Sequence, residues 1–156
     1  MSIENKSVIL NGERTKRNEL LNILFICSRN QWRSRTAEDL FKNHPLHQIR
    51  SAGTAPSARI KVSEKAIQWA DLILVMEKRH KEVLREKFGA LIQEKEVLVL
   101  DIPDEYGYMD PELVEILERY WELRWASEKS KKCLHSLVDQ LDNHQSESIM
   151  RNHHNL

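Results

Sequence analysis

Short hydrophobic runs alternate with longer mixed segments along the middle of the chain. Residues 22–27 and 71–76 are continuous apolar runs, the pattern of strands buried on both faces of a parallel sheet. Residues 48–52, which end at a glycine, and residues 96–102, which end at a proline, are predicted as two further strands.

Helical patterns lie between these strands, and one more follows the last strand. They cover residues 33–42, 63–70 and 78–88 and a final amphipathic segment after position 110. Ser63 is a good N-cap, Gly89 stands at a C-cap position, and Asp110 followed by proline predicts a helix start. Strand and helix thus alternate four times. With right-handed crossovers, this order predicts an α/β fold, a doubly wound four-stranded parallel sheet with helices on both faces.

The predicted α/β domain spans residues 22–120. Residues 1–21 form a polar N-terminal extension, residues 121–142 an apolar C-terminal helical extension, and residues 143–156 a tail rich in Asn, Ser, Gln and His that we expect to be disordered. The apolar residues of the helical extension either pack within the chain or form a dimer interface, and the sequence leaves both alternatives open.

Charge and hydropathy exclude several classes of protein. The chain has 156 residues with 24 basic and 24 acidic side chains, so its net charge of zero argues against a general nucleic-acid binder. The longest apolar stretch, residues 23–27, is too short to span a membrane. The first twenty residues hold no apolar signal core, so we expect a cytoplasmic protein without a membrane partner.

Cysteine and histidine usage restricts the chemistry further. Cys27 and Cys133 are the two cysteines, too few for a disulfide framework or a four-cysteine zinc site. The histidines have no ligand spacing with Cys27, so neither a metal nor a cofactor is predicted. A lone cysteine at a strand end can instead be a nucleophile.

The loop after the first strand, residues 27–34 and hereafter the Cys27 loop, has the features of an oxyanion site. Backbone N–H groups and the positive end of a helix dipole converge there. Arg33 can donate hydrogen bonds to two phosphate oxygens. The positive electrostatic potential that would hold a phosphate, together with the Ser34 hydroxyl, is also expected to favour the thiolate form of Cys27. The predicted phosphate-binding residues are Ser28, Arg29, Asn30, Gln31, Trp32, Arg33 and Ser34. The alternative is a small buried cysteine beside a solvated turn.

At these residues the chain resembles the low-molecular-weight protein tyrosine phosphatase family, whose loop is a cysteine, five residues, an arginine and a serine after the first strand. Further matches, in order, are Ala37-Glu38, residues 51–54, residues 70–76 and residues 102–104. The resemblance runs over roughly residues 22–120. It implies a metal-independent phosphomonoesterase, a protein tyrosine phosphatase with a cysteinyl-phosphate intermediate, in which Cys27 attacks phosphorus and Arg33 stabilises the phosphoryl oxygens.

The family also has an aspartate general acid in the loop after the fourth strand. The resemblance therefore implies that Asp104, which follows Ile102 and Pro103, protonates the leaving group. Asp110 also precedes a proline, but its context is that of a helix N-cap. The catalytic set implied by the resemblance is Cys27, Arg33 and Asp104.

Several departures from the family leave the substrate open. Arg29, Trp32 and Arg35 stand where the family usually has glycine, cysteine and proline, and the stretch between the second and third strands is shorter, which predicts a shallower pocket. The expected partners are phosphate-like oxyanions and a phosphorylated protein or small phosphomonoester, with phosphotyrosine and phosphoarginine both open. The alternative function is a non-catalytic phosphate, phosphoprotein or nucleotide binding module on the same fold.

Overall fold

The computed structural model describes residues 9–10, 13–14 and 20–126. In chain order the elements are β1 (Ile9–Leu10), β2 (Glu13–Arg14), β3 (Asn22–Cys27), α1 (Arg33–Phe41), β4 (Gln48–Gly53), α2 (Glu64–Trp69), β5 (Leu72–Val75), α3 (Lys78–Gln93), β6 (Glu96–Val99) and α4 (Pro111–Trp125). The predicted tail and most of the predicted C-terminal helical extension lie outside the described residues.

The main sheet has four strands in the order β4-β3-β5-β6, and all of its pairings are parallel. Cys27, the last residue of β3, is in register with Gly53, the last residue of β4. The carboxyl ends of these strands therefore meet at one edge, where doubly wound sheets bind ligands. The predicted fold class is confirmed.

Helices cover both faces of this sheet. On one face, Leu24 and Ile26 of β3 lie in a buried cluster with Ile67 of α2 and Leu84 of α3. On the other face, the ring of Phe25 stacks against Phe41 of α1, with the ring centroids 6.1 Å apart. Because neighbouring strand residues point to opposite faces, a continuous apolar run is needed to fill both cores.

Three local features differ from the sequence prediction. The fourth strand was predicted to reach residue 102 but ends at Val99, because Asp101 has a left-handed backbone with φ of 54°. Gly89 was predicted to end the third helix, and its backbone is non-helical, with φ of 33°; the difference is that a second helical segment, which the sequence did not predict, follows this kink and extends α3 to Gln93. In the polar N-terminal extension, β1 and β2 pair antiparallel, which the sequence pattern did not predict.

The start of α4 agrees with its prediction. A side-chain oxygen of Asp110 accepts the Glu112 amide at 2.9 Å, and Pro111 is the first helical residue. The chain divides into two compact units, residues 1–117 and 118–156. Within the second unit, the rings of Trp121 and Trp125 lie 5.7 Å apart. Within residues 20–126, no helix is long and apolar enough to cross a membrane.

Candidate active site

The Cys27 loop joins the end of β3 to the start of α1. Asn30 takes a left-handed conformation with φ of 56°, which asparagine tolerates better than most residues. Trp32 is the N-cap of α1 but forms no side-chain capping hydrogen bond. The first amide groups of α1 therefore keep their capacity to bind an anion.

The Cys27 thiol is buried within this loop and hydrogen-bonded. Its Sγ accepts the Asn30 amide at 3.3 Å and lies 2.9 Å from the Ser34 hydroxyl oxygen. The Asn30 side-chain amide donates to that same Ser34 oxygen at 2.8 Å, and the Ala52 carbonyl lies 3.4 Å from it as a second acceptor for the Ser34 proton. Asn30 and Ser34 therefore hold the sulfur at a fixed position in the loop.

A chain of hydrogen bonds holds the Asn30 side chain in place. Its Nδ2 also donates to Ser51 Oγ of β4 at 2.8 Å, and Ser51 in turn donates to Glu38 Oε2 of α1 at 2.5 Å. Arg59 lies 3.7 Å from the same Glu38 oxygen and donates to the Asn30 carbonyl at 3.0 Å. This network connects β4, α1 and the Cys27 loop, so the position of the sulfur depends on all three.

Arg33 is 2% exposed and has three acceptors on the protein. Its Nη1 donates to Glu77 Oε1 at 2.5 Å and to the Ile102 carbonyl at 2.8 Å, and its Nη2 lies 3.4 Å from Asp104 Oδ1. A buried guanidinium needs such partners, because an unpaired charge in the interior is costly. The predicted anion-binding arginine and the predicted general acid are therefore direct neighbours.

Glu77 combines structural and electrostatic roles. It is the N-cap of α3, where it and His80 form a reciprocal capping box. Partial burial opposes its ionisation, but hydrogen bonds from Arg33 and Arg79 outweigh burial, so the pKa of Glu77 lies below its usual range. Glu77 thus carries the negative charge that balances Arg33.

His80 is buried and neutral. Burial, together with the nearby Arg33 and Arg79, lowers the pKa of His80 to about 4. Its Nδ1 accepts the Glu77 amide at 3.0 Å, so the ring proton is on Nε2, which lies 2.9 Å from Ser28 Oγ. The imidazole therefore donates to Ser28, and the Ser28 hydroxyl can still donate its own proton.

The other predicted phosphate-binding residues divide by burial. Asn30 and Ser34 are buried, whereas Arg29, Gln31 and Trp32 are exposed, with Trp32 at 46%. The bulky residues that depart from the family pattern are thus on the solvent side of the Cys27 loop. Asn30 and Ser34, the buried residues of this set, are the ones that contact the Cys27 sulfur.

The connection from β4 to α2, residues 54–63, packs directly on the Cys27 loop. The amides of Thr54, Ala55 and Arg59 donate to the carbonyls of residues 27, 28 and 29 at 3.0, 2.9 and 2.9 Å. A side chain at Gly53 would approach the Ser28 carbonyl oxygen to 2.5 Å. The contact is therefore close enough to require glycine at position 53.

The two candidate acids have different environments. Asp104 is half exposed beside Arg33, whereas Asp110 caps α4. The sequence did not single out Glu77 or His80, although both follow β5 at the ligand-binding edge of the sheet. The topology could have drawn attention to them. Within residues 20–126, no group of three or more His, Cys, Asp or Glu side chains could hold a metal ion.

Structural comparison identifies this architecture as the fold of the low-molecular-weight protein tyrosine phosphatases. One such structure, SP-PTP from Streptococcus pyogenes, is 16% identical, covers 71% of this chain and 97% of its own, and has a TM-score of 0.56. No family model matches the sequence, and a search of curated proteins finds no match.

Two further structures extend this similarity. The arginine phosphatase YwlE from Geobacillus stearothermophilus is 21% identical, with 81% of this chain and 96% of that chain covered and a TM-score of 0.52. The tyrosine phosphatase Wzb from Escherichia coli K30, in complex with phosphate, is 27% identical, with 67% and 95% covered and a TM-score of 0.50. The resemblance noted in the sequence is confirmed at the level of the fold.

Proposed function

We propose that the protein is a phosphatase that hydrolyses phosphomonoesters without a metal ion, through a cysteinyl-phosphate intermediate. The observation that carries the proposal is the position of Cys27 Sγ, which accepts one hydrogen bond from the Asn30 amide and lies 2.9 Å from Ser34 Oγ. The buried Arg33 begins the helix that follows. A cysteine sulfur held beside a buried arginine and the first amides of a helix is suited, as the thiolate, to attack on phosphorus.

In the first chemical step, the Cys27 thiolate attacks phosphorus. The S–P bond forms, the ester P–O bond breaks, and Asp104 gives its proton to the departing oxygen. The phosphoryl oxygens take hydrogen bonds from the loop amides and from Arg33, which must give up part of its contact with Asp104. That exchange frees the Asp104 carboxyl to face the leaving group.

In the second step, water attacks the cysteinyl phosphate. The Asp104 carboxylate accepts a proton from the water, the new P–O bond forms, and the S–P bond breaks to release phosphate and the thiolate. Both steps balance without a metal or redox partner. Ser34 and Asn30 stabilise the sulfur as a leaving group through the hydrogen bonds they already form.

The substrate class we propose is a phosphorylated protein, with phosphotyrosine as the first candidate. Trp32, an exposed residue of the Cys27 loop, offers an aromatic surface to an aryl phosphate. Phosphoarginine is the second candidate, because a structure of the same fold is described as an arginine phosphatase. Such a protein would act in the cytoplasm on soluble partners.

One observation favours a different function, a binding module without turnover. Arg33 donates to Glu77 and to the Ile102 carbonyl and lies 3.4 Å from Asp104, so these three groups compete with a phosphate for the guanidinium. An arginine that remained in those contacts would leave only the loop amides for an anion. In that case phosphate would bind, and no ester would be cleaved.

Phosphate release from phenyl phosphate, a phosphotyrosine peptide and a phosphoarginine peptide, measured with a chelator present, tests the proposal. We expect wild-type turnover, its loss in Cys27→Ser, and its retention in the matched control Cys133→Ser. Mass spectrometry of rapidly quenched enzyme should find one phosphoryl group on Cys27.

Turnover that survives in Cys27→Ser would refute the mechanism. A folded wild-type protein that binds vanadate but releases no phosphate would favour the binding module. Activity that requires an added divalent cation would contradict the metal-independent reaction.

A further inference from the structure

The loop that carries Asp104, residues 103–109 and hereafter the acid loop, is held mainly by surface contacts. It begins after Ile102, which is buried, and ends at the cap of α4. Apart from the half-buried Tyr106, every residue in it is exposed. The hydrophobic core therefore does not fix the position of the Asp104 carboxyl.

Three contacts join the far end of the acid loop to α1. The Tyr108 hydroxyl donates to Asp39 Oδ2 at 2.5 Å, and the Arg35 guanidinium lies 4.8 Å from the centre of the Tyr108 ring. The Met109 amide donates to Thr36 Oγ1 at 3.0 Å. Two of the three contacts use the Tyr108 side chain.

The Tyr108 contacts are also polarised. The hydrogen bond from Tyr108 lowers the pKa of Asp39, and the same bond raises the pKa of Tyr108. The phenol therefore donates to an ionised carboxylate, a hydrogen bond stronger than one between neutral groups. Arg35 lies 4.0 Å from the same Asp39 oxygen, so the Arg35 guanidinium, the Tyr108 ring and the Asp39 carboxylate are mutual neighbours.

The helix that receives these contacts is the one that begins with Arg33 and Ser34. Arg33 and Ser34 lie within two turns of Arg35, Thr36 and Asp39 along the same helix. The contacts with α1 therefore hold the far end of the acid loop, and so help to fix Asp104 relative to the Cys27 loop. Arg33 itself supplies the attachment at the near side, through the Ile102 carbonyl.

We infer that Tyr108 is a positioning residue for proton transfer, which holds the acid loop on α1 so that Asp104 reaches the leaving-group oxygen. This inference rests on the proposed function. Arg35 contributes by stacking on the same ring, so its presence in place of the family's usual proline has a role in this chain.

A purely structural role for Tyr108 would give a different result. Loss of its hydroxyl would then lower stability and reduce the rates of all substrates equally. A positioning role affects only the step that needs the proton. Esters of weakly acidic phenols depend on that proton, whereas esters of strongly acidic phenols leave without it.

The test compares Tyr108→Phe with Tyr106→Phe. Both variants remove a hydroxyl from the acid loop, but the Tyr106 hydroxyl lies 3.4 Å from Glu112, which belongs to α4 and not to α1. We expect Tyr108→Phe to lower kcat/KM about tenfold for phenyl phosphate and less than about twofold for 2,4-dinitrophenyl phosphate. Asp39→Asn, which keeps an acceptor oxygen, should restore most of the rate relative to Asp39→Ala.

Amide hydrogen exchange of residues 103–109 without substrate gives a second readout. We expect faster exchange in Tyr108→Phe and unchanged exchange in Tyr106→Phe. Equal loss of rate on both esters, or unchanged exchange in Tyr108→Phe, would overturn the inference. If wild type shows no Cys27-dependent turnover, the proposed function fails, and the exchange result alone then supports or overturns the attachment by Tyr108.

Discussion

Arg33 Nη1 and Glu77 Oε1 lie 2.5 Å apart, although 44 residues separate them in the chain. The contact joins the first residue of α1 to the N-cap of α3. It places a carboxylate against the guanidinium that the proposed mechanism assigns to phosphate. If that mechanism holds, phosphate and Glu77 act on the same guanidinium.

We expect Glu77→Gln to lower the free energy of unfolding by about 1–3 kcal/mol, because it removes a counter-charge from buried Arg33. Added phosphate would supply part of that charge, so it should raise the Tm of Glu77→Gln more than that of wild type. Thermal unfolding with and without phosphate measures this. Glu86→Gln, at an exposed position on α3, is the control, and equal phosphate effects in all three proteins would contradict the prediction.

Mutation of Asp104 and of Asp110 should have different effects, the first on catalysis and the second on stability. Asp104→Asn should lower kcat/KM for phenyl phosphate about 100-fold or more, and change stability by less than about 0.5 kcal/mol, because it removes an exposed proton donor. Asp110→Ala should lower stability by about 1 kcal/mol, because it removes the cap of α4. Steady-state kinetics and denaturant unfolding of both variants provide the comparison. The opposite pattern would make Asp110 the acid.

The buried His80 predicts a specific loss of stability in acid. The pKa of His80 is about 4 in the folded protein and near 6.5 in the unfolded chain. Below pH 6.5 the unfolded chain gains a proton that the folded chain does not, so up to about 3 kcal/mol of stability is lost between pH 6.5 and 4. The difference in free energy of unfolding between wild type and His80→Asn, measured with urea, should therefore become smaller as the pH falls from 6.5 to 4. A constant gap would show that His80 titrates alike in both states.

Gly53 should tolerate no side chain. A Cβ there would lie 2.5 Å from the Ser28 carbonyl oxygen and 2.6 Å from Ala58 Cβ. Gly53→Ala should therefore cost about 1–3 kcal/mol and weaken phosphate binding, because relief of the clash moves the Cys27 loop. Gly107→Ala is the matched control, since a Cβ at Gly107 has no neighbour within 4 Å. Calorimetry of both variants with phosphate tests this, and similar affinities would refute it.

The sequence predicted the two central strands, β3 and β5, well because they are buried on both faces and carry continuous apolar runs. It also drew attention to Cys27, Asn30, Arg33 and Ser34, which are local in the chain and share one loop. Strand and helix ends were less predictable. A left-handed backbone at Asp101 shortens β6, and a second helical segment follows the non-helical Gly89 within α3.

The residues that the sequence missed act at long range. Glu77 and His80 contact residues 44 and 52 positions earlier in the chain, because β5 lies directly beside β3. Strand order determines these contacts, and no local pattern records it. For the same reason, the contact between Tyr108 and Asp39 could not be foreseen from either segment alone.

The connection that covers the Cys27 loop, residues 54–63, also occupies the backbone carbonyls of that loop. The carbonyls of residues 27, 28 and 29 accept backbone amides from residues 54, 55 and 59, and the Asn30 carbonyl accepts Arg59 Nε. The negative ends of four successive peptide groups are thus occupied, and one of the four N–H groups, that of Asn30, is directed at the Cys27 sulfur. In the proposed function, a backbone with its carbonyls occupied favours a dianion over a cation without any excess of basic residues. A chain with a net charge of zero can therefore hold a local anion site.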